Sequence, residues 1–522
     1  MVVSSGYGTF ASGNYNETST AQRNWLRHQT IINGATARGG NPAYTVVGVG
    51  VDGATLDGFF VQGGNANATI SSNPNGDVGE TFRGGGMFIL TRTVTVRNCW
   101  FRNNNAGIAG GAVTISTCYT GVKTVLFKDC VFQSNTCQRV GTTADIGLGG
   151  AMNILRSSPT IDGCIFFSNT GRYGGAIYSV WSDNSAAGAP NGTASETPII
   201  RNSLFYGNTA QEAGGAIYCH NSNALITHCT ITSNGGGASA FEVPVADQGG
   251  GFVASNVPIL PRVSVPGAGT ADPGNANLQN NFFAGNTGGS SQIIARSIGT
   301  SVTLSQTTNI QNAGVGMFQD AGNRDYRLQT GDTIALNRAT PTAQTPPQDG
   351  FGVTRPNGAI NGATANDAGA YERDSQNPAI TTKTANKVLD ANGEALVYID
   401  DVLNTATDND TSLVYSLTSI GTVANAATYG TIVNYATVTS AQLFTCANIG
   451  ANSVTLYAMD NDGRLVSATA TVNISENTPP VLVTANPSPV NVGSGSANVP
   501  AASFVSNVSD NCGGTITTLV RR

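Results

Sequence analysis

The chain has 522 residues, of which 65 are glycine and only 11% are charged. That balance excludes a helical enzyme of ordinary composition, and the length exceeds one ordinary domain. A net charge of −6 with no basic stripe argues against nucleic acid as the partner, and no run of about 18 apolar residues is present to span a membrane.

Met1 to Asn14 lacks the basic start and apolar middle of a secretory signal. The composition, rich in Asn, Thr, Ser and Gly, nevertheless reads as extracellular. The expectation is a chain on or outside the cell surface whose export signal lies upstream. His28 precedes the recognisable repeats and indicates nothing.

The chain then repeats itself. Gly-Gly-Ala followed by an apolar residue begins at Gly110, Gly149, Gly174 and Gly214, with Gly-Gly-Gly versions at Gly84 and Gly249. Between these stand Phe101/Asn104, Phe132/Asn135, Phe166/Asn169, Phe205/Asn208, Ile231/Asn234 and Phe283/Asn286. A recurring unit that cannot bury its apolar face alone must stack on its own copies, which makes a solenoid.

Each copy reads in columns. Leu56, Val96, Phe127, Ile161, Ile200, Ile226 and Leu278 are large and apolar and should face the core. Asp57, Arg97, Lys128, Asp162, Arg201, Thr227 and Gln279 follow and should point outward by strand alternation. Next come Gly58, Asn98, Asp129, Gly163, Asn202, His228 and Asn280, residue types that tolerate positive φ, so this column marks a tight corner and His228 needs no function there. After the glycines Met87, Val113, Met152, Ile177, Ile217 and Phe252 should point in, while Phe88, Thr114, Asn153, Tyr178, Tyr218 and Val253 point out. Short strands, sharp corners and a coil of about 25 residues predict an all-β fold, a right-handed parallel β-helix over 1–311. The asparagines should stack as an amide ladder, and the paired glycines should mark a bend too crowded for a Cβ.

Cys99, Cys130, Cys164 and Cys229 share one inward column with Ser203 and Asn281. They read as small buried side chains, with disulfides between adjacent rungs as the alternative. Cys118 and Cys137 fall in loops and are candidates to pair. No cysteine spacing suggests zinc.

The outward face after the glycines supplies the candidate binding site. Phe88, Tyr178 and Tyr218 form a discontinuous aromatic strip able to stack on sugar rings, with Asn153, Trp181 and His220 beside it, and ordinary cross-strand packing competes with that reading. Polysaccharide lyases and hydrolases of this architecture set carboxylates on such a face, and this one has none. Loop acids such as Asp145, Asp183, Glu196, Glu212 and Glu242 would have to converge instead, so no catalytic residue is assigned. A second outward stripe, Phe60, Trp100, Val131, Ile165, Leu204, Thr230 and Phe282, requires either a corner that hides it or a loop or partner that covers it. The paired Gly-Gly-Ala-Ile and Phe-x-x-Asn motifs resemble the repeats of chlamydia-type polymorphic outer membrane proteins and related β-helix adhesins.

Residues 312–373 carry a different pattern: Gly316-Met317-Phe318, Asn323 to Leu328, Ala335 to Asn337, Asp349-Gly350, Arg355-Pro356 and Asp367 to Glu372. This order resembles the closing element of bacterial surface β-helix proteins, although Met317 lacks a preceding Asp-Pro and Asp332-Thr333 stands where Ser-Pro is usual. A segment that covers the open backbone of the last coil is expected.

Beyond it the composition shifts to Val/Thr/Ala alternation, which predicts an Ig-like β-sandwich module over 374–476 and a shortened second copy over 477–522. Val388 to Asp410 aligns without a gap to Val490 to Cys512, and Val454 to Ala458, Asp460 to Gly463 and Val466 to Ile474 read as strand, tight turn, strand. The region resembles tandem modules of Bacteroidota surface proteins. In that family the Cys of Asp-Asn-Cys pairs with the Cys of Phe-Thr-Cys within a module; Asp410 replaces the first in copy one, so Cys446 and Cys512 should lack partners inside their own modules. Asp408, Asp410, Asp460 and Asp462 have a calcium-like composition, but no EF-hand glycine or distal glutamate accompanies them, and Asp-Gly is a good hairpin turn by itself. No cofactor is assigned.

Together these features lead to the expectation of a non-enzymatic secreted or cell-surface binding protein. Its β-helix would meet a surface glycan or a cell-surface protein, and its Ig-like modules would form a stalk. A polysaccharide-active enzyme and a purely structural spacer are the alternatives.

Overall fold

The structure, a computed structural model, describes residues 2–4, 29–67, 82–118, 123–138, 147–180, 197–237, 249–255, 275–288, 292–296 and, with interruptions of which 356–364 and 423–432 are the longest, 303–519. One coil shows the plan. Met87–Leu90 lies in a first sheet, Val94–Arg97 in a second, Trp100–Arg102 in a third and Asn105–Ala106 in a fourth, after which Val113–Ser116 returns to pair with Met87–Leu90. The four sheets hold eight, nine, nine and six strands, and neighbouring strands pair in parallel from coil to coil. This is the expected parallel β-helix.

In-register pairing turns each sequence column into a row along the axis. Phe101, Phe132, Phe166 and Phe205 stack inside it with ring centroids 5.2, 4.5 and 4.7 Å apart. Beside them Asn135 Nδ2 donates to Asn169 Oδ1 at 3.0 Å, Asn169 to Asn208 at 2.9 Å and Asn208 to Asn234 at 2.8 Å. Each amide also donates to a backbone carbonyl of the coil before it, as Asn169 does to Phe132 at 2.9 Å, so these buried groups are satisfied.

The predicted corner column has φ between 50° and 88° at all seven positions, Gly58, Asn98, Asp129, Gly163, Asn202, His228 and Asn280. Two further left-handed columns were not read from the sequence: Asn103, Ser134, Ser168, Gly207, Ser233 and Gly285 form one, Thr91, Thr117, Arg156 and Asn221 another, and their Ser, Thr and Arg members obscure the pattern. The paired glycines do mark crowding. Gly174 has φ of 68°, and a Cβ on Gly175 would stand 2.0 Å from the carbonyl oxygen of Gly215 in the next coil.

Seven cysteines are free and buried, among them Cys118 and Cys137, which do not pair. Cys137 packs with Ala66 and Ala106 under the fourth sheet, whereas Cys118 belongs to the main core. Cys99, Cys130, Cys164 and Cys229 donate weakly to neighbouring carbonyls, and Ser203 and Asn281 continue that column by accepting the N–H groups of Cys164 and Cys229.

Beyond Ile310–Asn312 the chain reaches back along the outside of the third sheet as a strap. Within it Phe318–Asp320 pairs antiparallel with Asp325–Leu328. Past the strap, Gly450–Met459 and Leu465–Ser475 form the predicted long hairpin. With Ala385–Val388 and Val414–Ser416 they build a four-stranded mixed sheet over a core that includes Val397, Phe444, Leu456 and Val472. Among the described residues no helix is long and apolar enough to cross a membrane.

Candidate functional site

The three long flanks of the β-helix differ in what covers them. On the first sheet the anticipated sugar-stacking strip is buried: Phe88 is 8% exposed, Asn153 2%, Tyr178 3%, Tyr218 0% and His220 8%. This corrects the reading of these residues as a solvent-facing platform. The cause lies in the glycine bend, which lays the preceding residues over the outer face; Tyr173 and Ala213 pack there with Tyr178, Val180, Tyr218 and Val253. Tyr178 and Tyr218 stack at 5.6 Å, Tyr173 meets Tyr218 edge-on at 5.3 Å, and Thr114 Oγ1 donates to the carbonyl of Ala109 at 3.0 Å. Burial holds the Tyr178 hydroxyl well above its usual pKa. His220, buried like the tyrosines, lies 6.5 Å from the Tyr178 ring. Trp181 lies outside the described residues.

Of the acids expected in loops, Glu212 is described, and it lies in the strand Thr209–Ala213 instead. It is 1% exposed and pairs with Arg172 at 3.5 Å, which gives it a structural partner. Asp145, Asp183, Glu196 and Glu242 lie outside the described residues.

On the third sheet the strap resolves the second stripe. Phe60, Trp100, Val131, Ile165, Leu204 and Phe282 share one apolar cluster with Met317, Phe318, Tyr326, Leu328, Ala368 and Tyr371. The signature residues of 312–373 hold that strap in place. Arg355, whose side chain is fully buried, pairs with Glu372 and donates to the carbonyl of Gly369 at 2.9 Å and to Asn202 Oδ1 at 3.4 Å. Asp349 accepts the N–H of Glu372 at 2.7 Å, and Asp367 accepts those of Asn337 and Arg373 at 2.7 Å. Burial pushes Glu372 up to about 8 and raises Asp367. The corner column is the other half of the joint: Asn280 donates to the carbonyl of Thr340 at 2.9 Å and accepts its N–H at 3.1 Å. His228 sits against Asn280 at 3.3 Å, and burial, together with Arg355, drives its pKa down to about 2.

Among the described residues, the outer face of the second sheet is the less buried flank from Thr55 to Ile199. Thr55, Thr95, Leu126, Thr160 and Ile199 are half-buried on its outer face, and Arg97 and Lys128 are exposed. Its rungs are fixed by paired side chains: Arg97 donates to Asp57 at 2.8 Å and Arg201 to Asp162 at 2.8 Å, with Asn98 and Asn202 bonding the same two carboxylates. This face was legible as an outward polar column but had not been singled out as a site. The missing signal was which flanks the chain covers for itself.

In the C-terminal region the carboxylate of Asp460 is fully buried and accepts the N–H of Arg464 at 2.7 Å, so it closes the hairpin rather than standing open to calcium. Asp408 is described and lies apart from any such cluster, while Asp410 and Asp462 lie outside the described residues. Among the described residues no group of three or more His, Cys, Asp or Glu side chains is arranged to hold a metal. Cys446 and Cys512 form a disulfide across 66 residues, which supplies both thiols with a partner. Compared with known proteins, the chain matches no family model, no curated protein and no solved structure.

Proposed function

We propose that this is a non-enzymatic binding protein of the cell exterior. The second-sheet flank of its β-helix meets a glycan or protein on another surface, and the C-terminal modules act as its stalk. The observation that carries this reading is the second-sheet flank, where among the described residues Thr55, Thr95, Leu126, Thr160 and Ile199, on five successive coils, are only half-buried, whereas the first- and third-sheet flanks are packed by the chain itself. Its rungs repeat at roughly 4.8 Å and are stiffened by the Arg–Asp pairs, so little order has to be imposed when a partner docks. Leu126 and Ile199 add apolar contact to a polar row, the mixture expected of a face that is solvated when free. The Cys446–Cys512 disulfide supports an oxidising compartment.

The test is retention of the purified chain on glycan arrays and on cells, compared with a Leu126→Asp, Lys128→Glu double variant whose melting temperature is measured alongside. Retention should fall at least tenfold with melting unchanged. Equal retention of the variant rejects this flank, and a wild-type chain retained by neither glycans nor cells rejects the binding reading.

A further inference from the structure

The second copy of the C-terminal module repeats the first in structure as well as in sequence. Ala379–Thr382 pairs antiparallel with Leu403–Thr407, and Val481–Thr484 pairs with Val505–Ser509, each partner displaced by 102 residues and each ladder shifting register before its last pair. The single-turn helix Ile399–Val402 is matched by the turn Ala501–Phe504 at the same offset. The two copies therefore begin alike.

They are also joined. The Asp510-Asn511-Cys512 turn of copy two docks on a receptor formed by two turns of copy one. Asn511 Nδ2 donates to the carbonyl of Asp390 at 2.9 Å, and Cys512 bonds Cys446 in the turn Cys446–Asn448. Gly393, at φ 75°, completes the receptor: a Cβ there would lie 2.6 Å from Cys446 Sγ and 3.0 Å from the Asn511 carbonyl. Both sulfurs pack on the core of copy one, so the turn is seated rather than tethered.

In sequence, copy one has Asp408-Asn409-Asp410 at the matching positions, with Asp where copy two has Cys. What precedes copy one is the strap, which contains no cysteine, since none occurs between Cys229 and Cys446. A thiol at position 410 would thus meet no receptor of this kind. We propose that the Asp-Asn-Cys turn is an inter-module latch: it closes on the Phe-Thr-Cys turn of the module before it, and a module that follows no such neighbour carries Asp instead. The surface around Asp390, Gly393 and Cys446 is accordingly a docking site for another module of the same kind. The latch fixes the angle between successive modules and makes the stalk a stiff rod. It stands whether or not the β-helix flank binds a partner.

The test uses the whole chain, denatured in N-ethylmaleimide and digested without reductant. Mass spectrometry should find one linked peptide pair, joining Cys446 to Cys512, and the alkylating label on the other seven cysteines. Alkylation of Cys446 and Cys512, or a link from either to another cysteine, overturns the latch. An Asp410→Cys variant provides the second arm. Its new thiol should be alkylated while Cys446 stays linked to Cys512, and capture of Cys446 by position 410 would show the pairing to be internal to a module. In Cys446→Ser and Cys512→Ser single variants, protease cleavage between Glu476 and Pro480 should accelerate at least tenfold; an unchanged rate rejects the stiffening role.

Discussion

Asn202 Nδ2 donates to the backbone carbonyl of Gln348 at 2.8 Å, a bond across 146 residues that ties a corner of the β-helix to the strap. The same Asn202 accepts from Arg355, so the strap is held by polar groups at the corners and by apolar side chains over the third sheet.

Removing the cation should therefore loosen the strap. Arg355→Ala leaves Glu372 and Asn202 facing an uncompensated buried gap, at a cost of about 3 to 5 kcal/mol. Hydrogen exchange should rise at Leu204–Tyr206 and Phe282–Ala284, and a dye that binds apolar surface should gain fluorescence. Unchanged exchange in those strands would mean that apolar contacts alone hold the strap.

Two glycines should respond to an added methyl for different reasons. Gly207 has φ of 61° and open space around its missing Cβ, so Gly207→Ala should cost only about 1 to 2 kcal/mol for the left-handed conformation. Gly175→Ala drives a methyl into the Gly215 carbonyl of the next coil and should prevent that pair of coils from stacking. Circular dichroism and urea unfolding separate the two; similar losses would contradict the crowding.

His228 should make the protein acid-sensitive. Its folded pKa is lowered from 6.5 to about 2, so the folded state keeps it neutral while the unfolded chain takes up a proton below 6.5. Its contribution is fully present above pH 6.5 and is lost as pH falls, by about 1.4 kcal/mol per unit, or roughly 3 kcal/mol at pH 4.5. Glu372 acts in the opposite sense. Its raised pKa gives stability that is present below 4.5 and lost as pH rises through about 8. His228→Asn isolates the first effect, because Asn98, Asn202 and Asn280 already occupy this corner with φ of 50° to 55°. The variant's stability should fall less than the wild type's between pH 6.5 and 4.5, and parallel curves would refute the assignment.

Tyr218 should act as core rather than as a sugar platform. Tyr218→Ala removes a fully buried ring stacked on Tyr178 and met by Tyr173, and should cost about 3 to 5 kcal/mol. Glycan retention lost without any change in unfolding midpoint would restore the surface reading.

The sequence by itself determined the coil. Its periodic columns are local and repeated, so the inward rows, the asparagine ladder, the glycine bend and one corner followed from residue types alone. Left-handed corners filled by Ser134, Thr117 or Arg156 escaped notice because those side chains give no signal for positive φ. Which face meets solvent was decided only in three dimensions. Alternation assigns a side to Tyr178, Tyr218, Trp100 and Leu204 but not what lies on that side. The residues that cover Tyr178 and Tyr218 arrive from the glycine bend, and those over Leu204 from a strap more than 100 residues away. The partner of Cys446 is likewise a tertiary fact, since pairing depends on where the second module's turn lands on the first. Long-range covering is a matter of packing between separate segments, and a repeat, however regular, encodes only how a segment packs on itself.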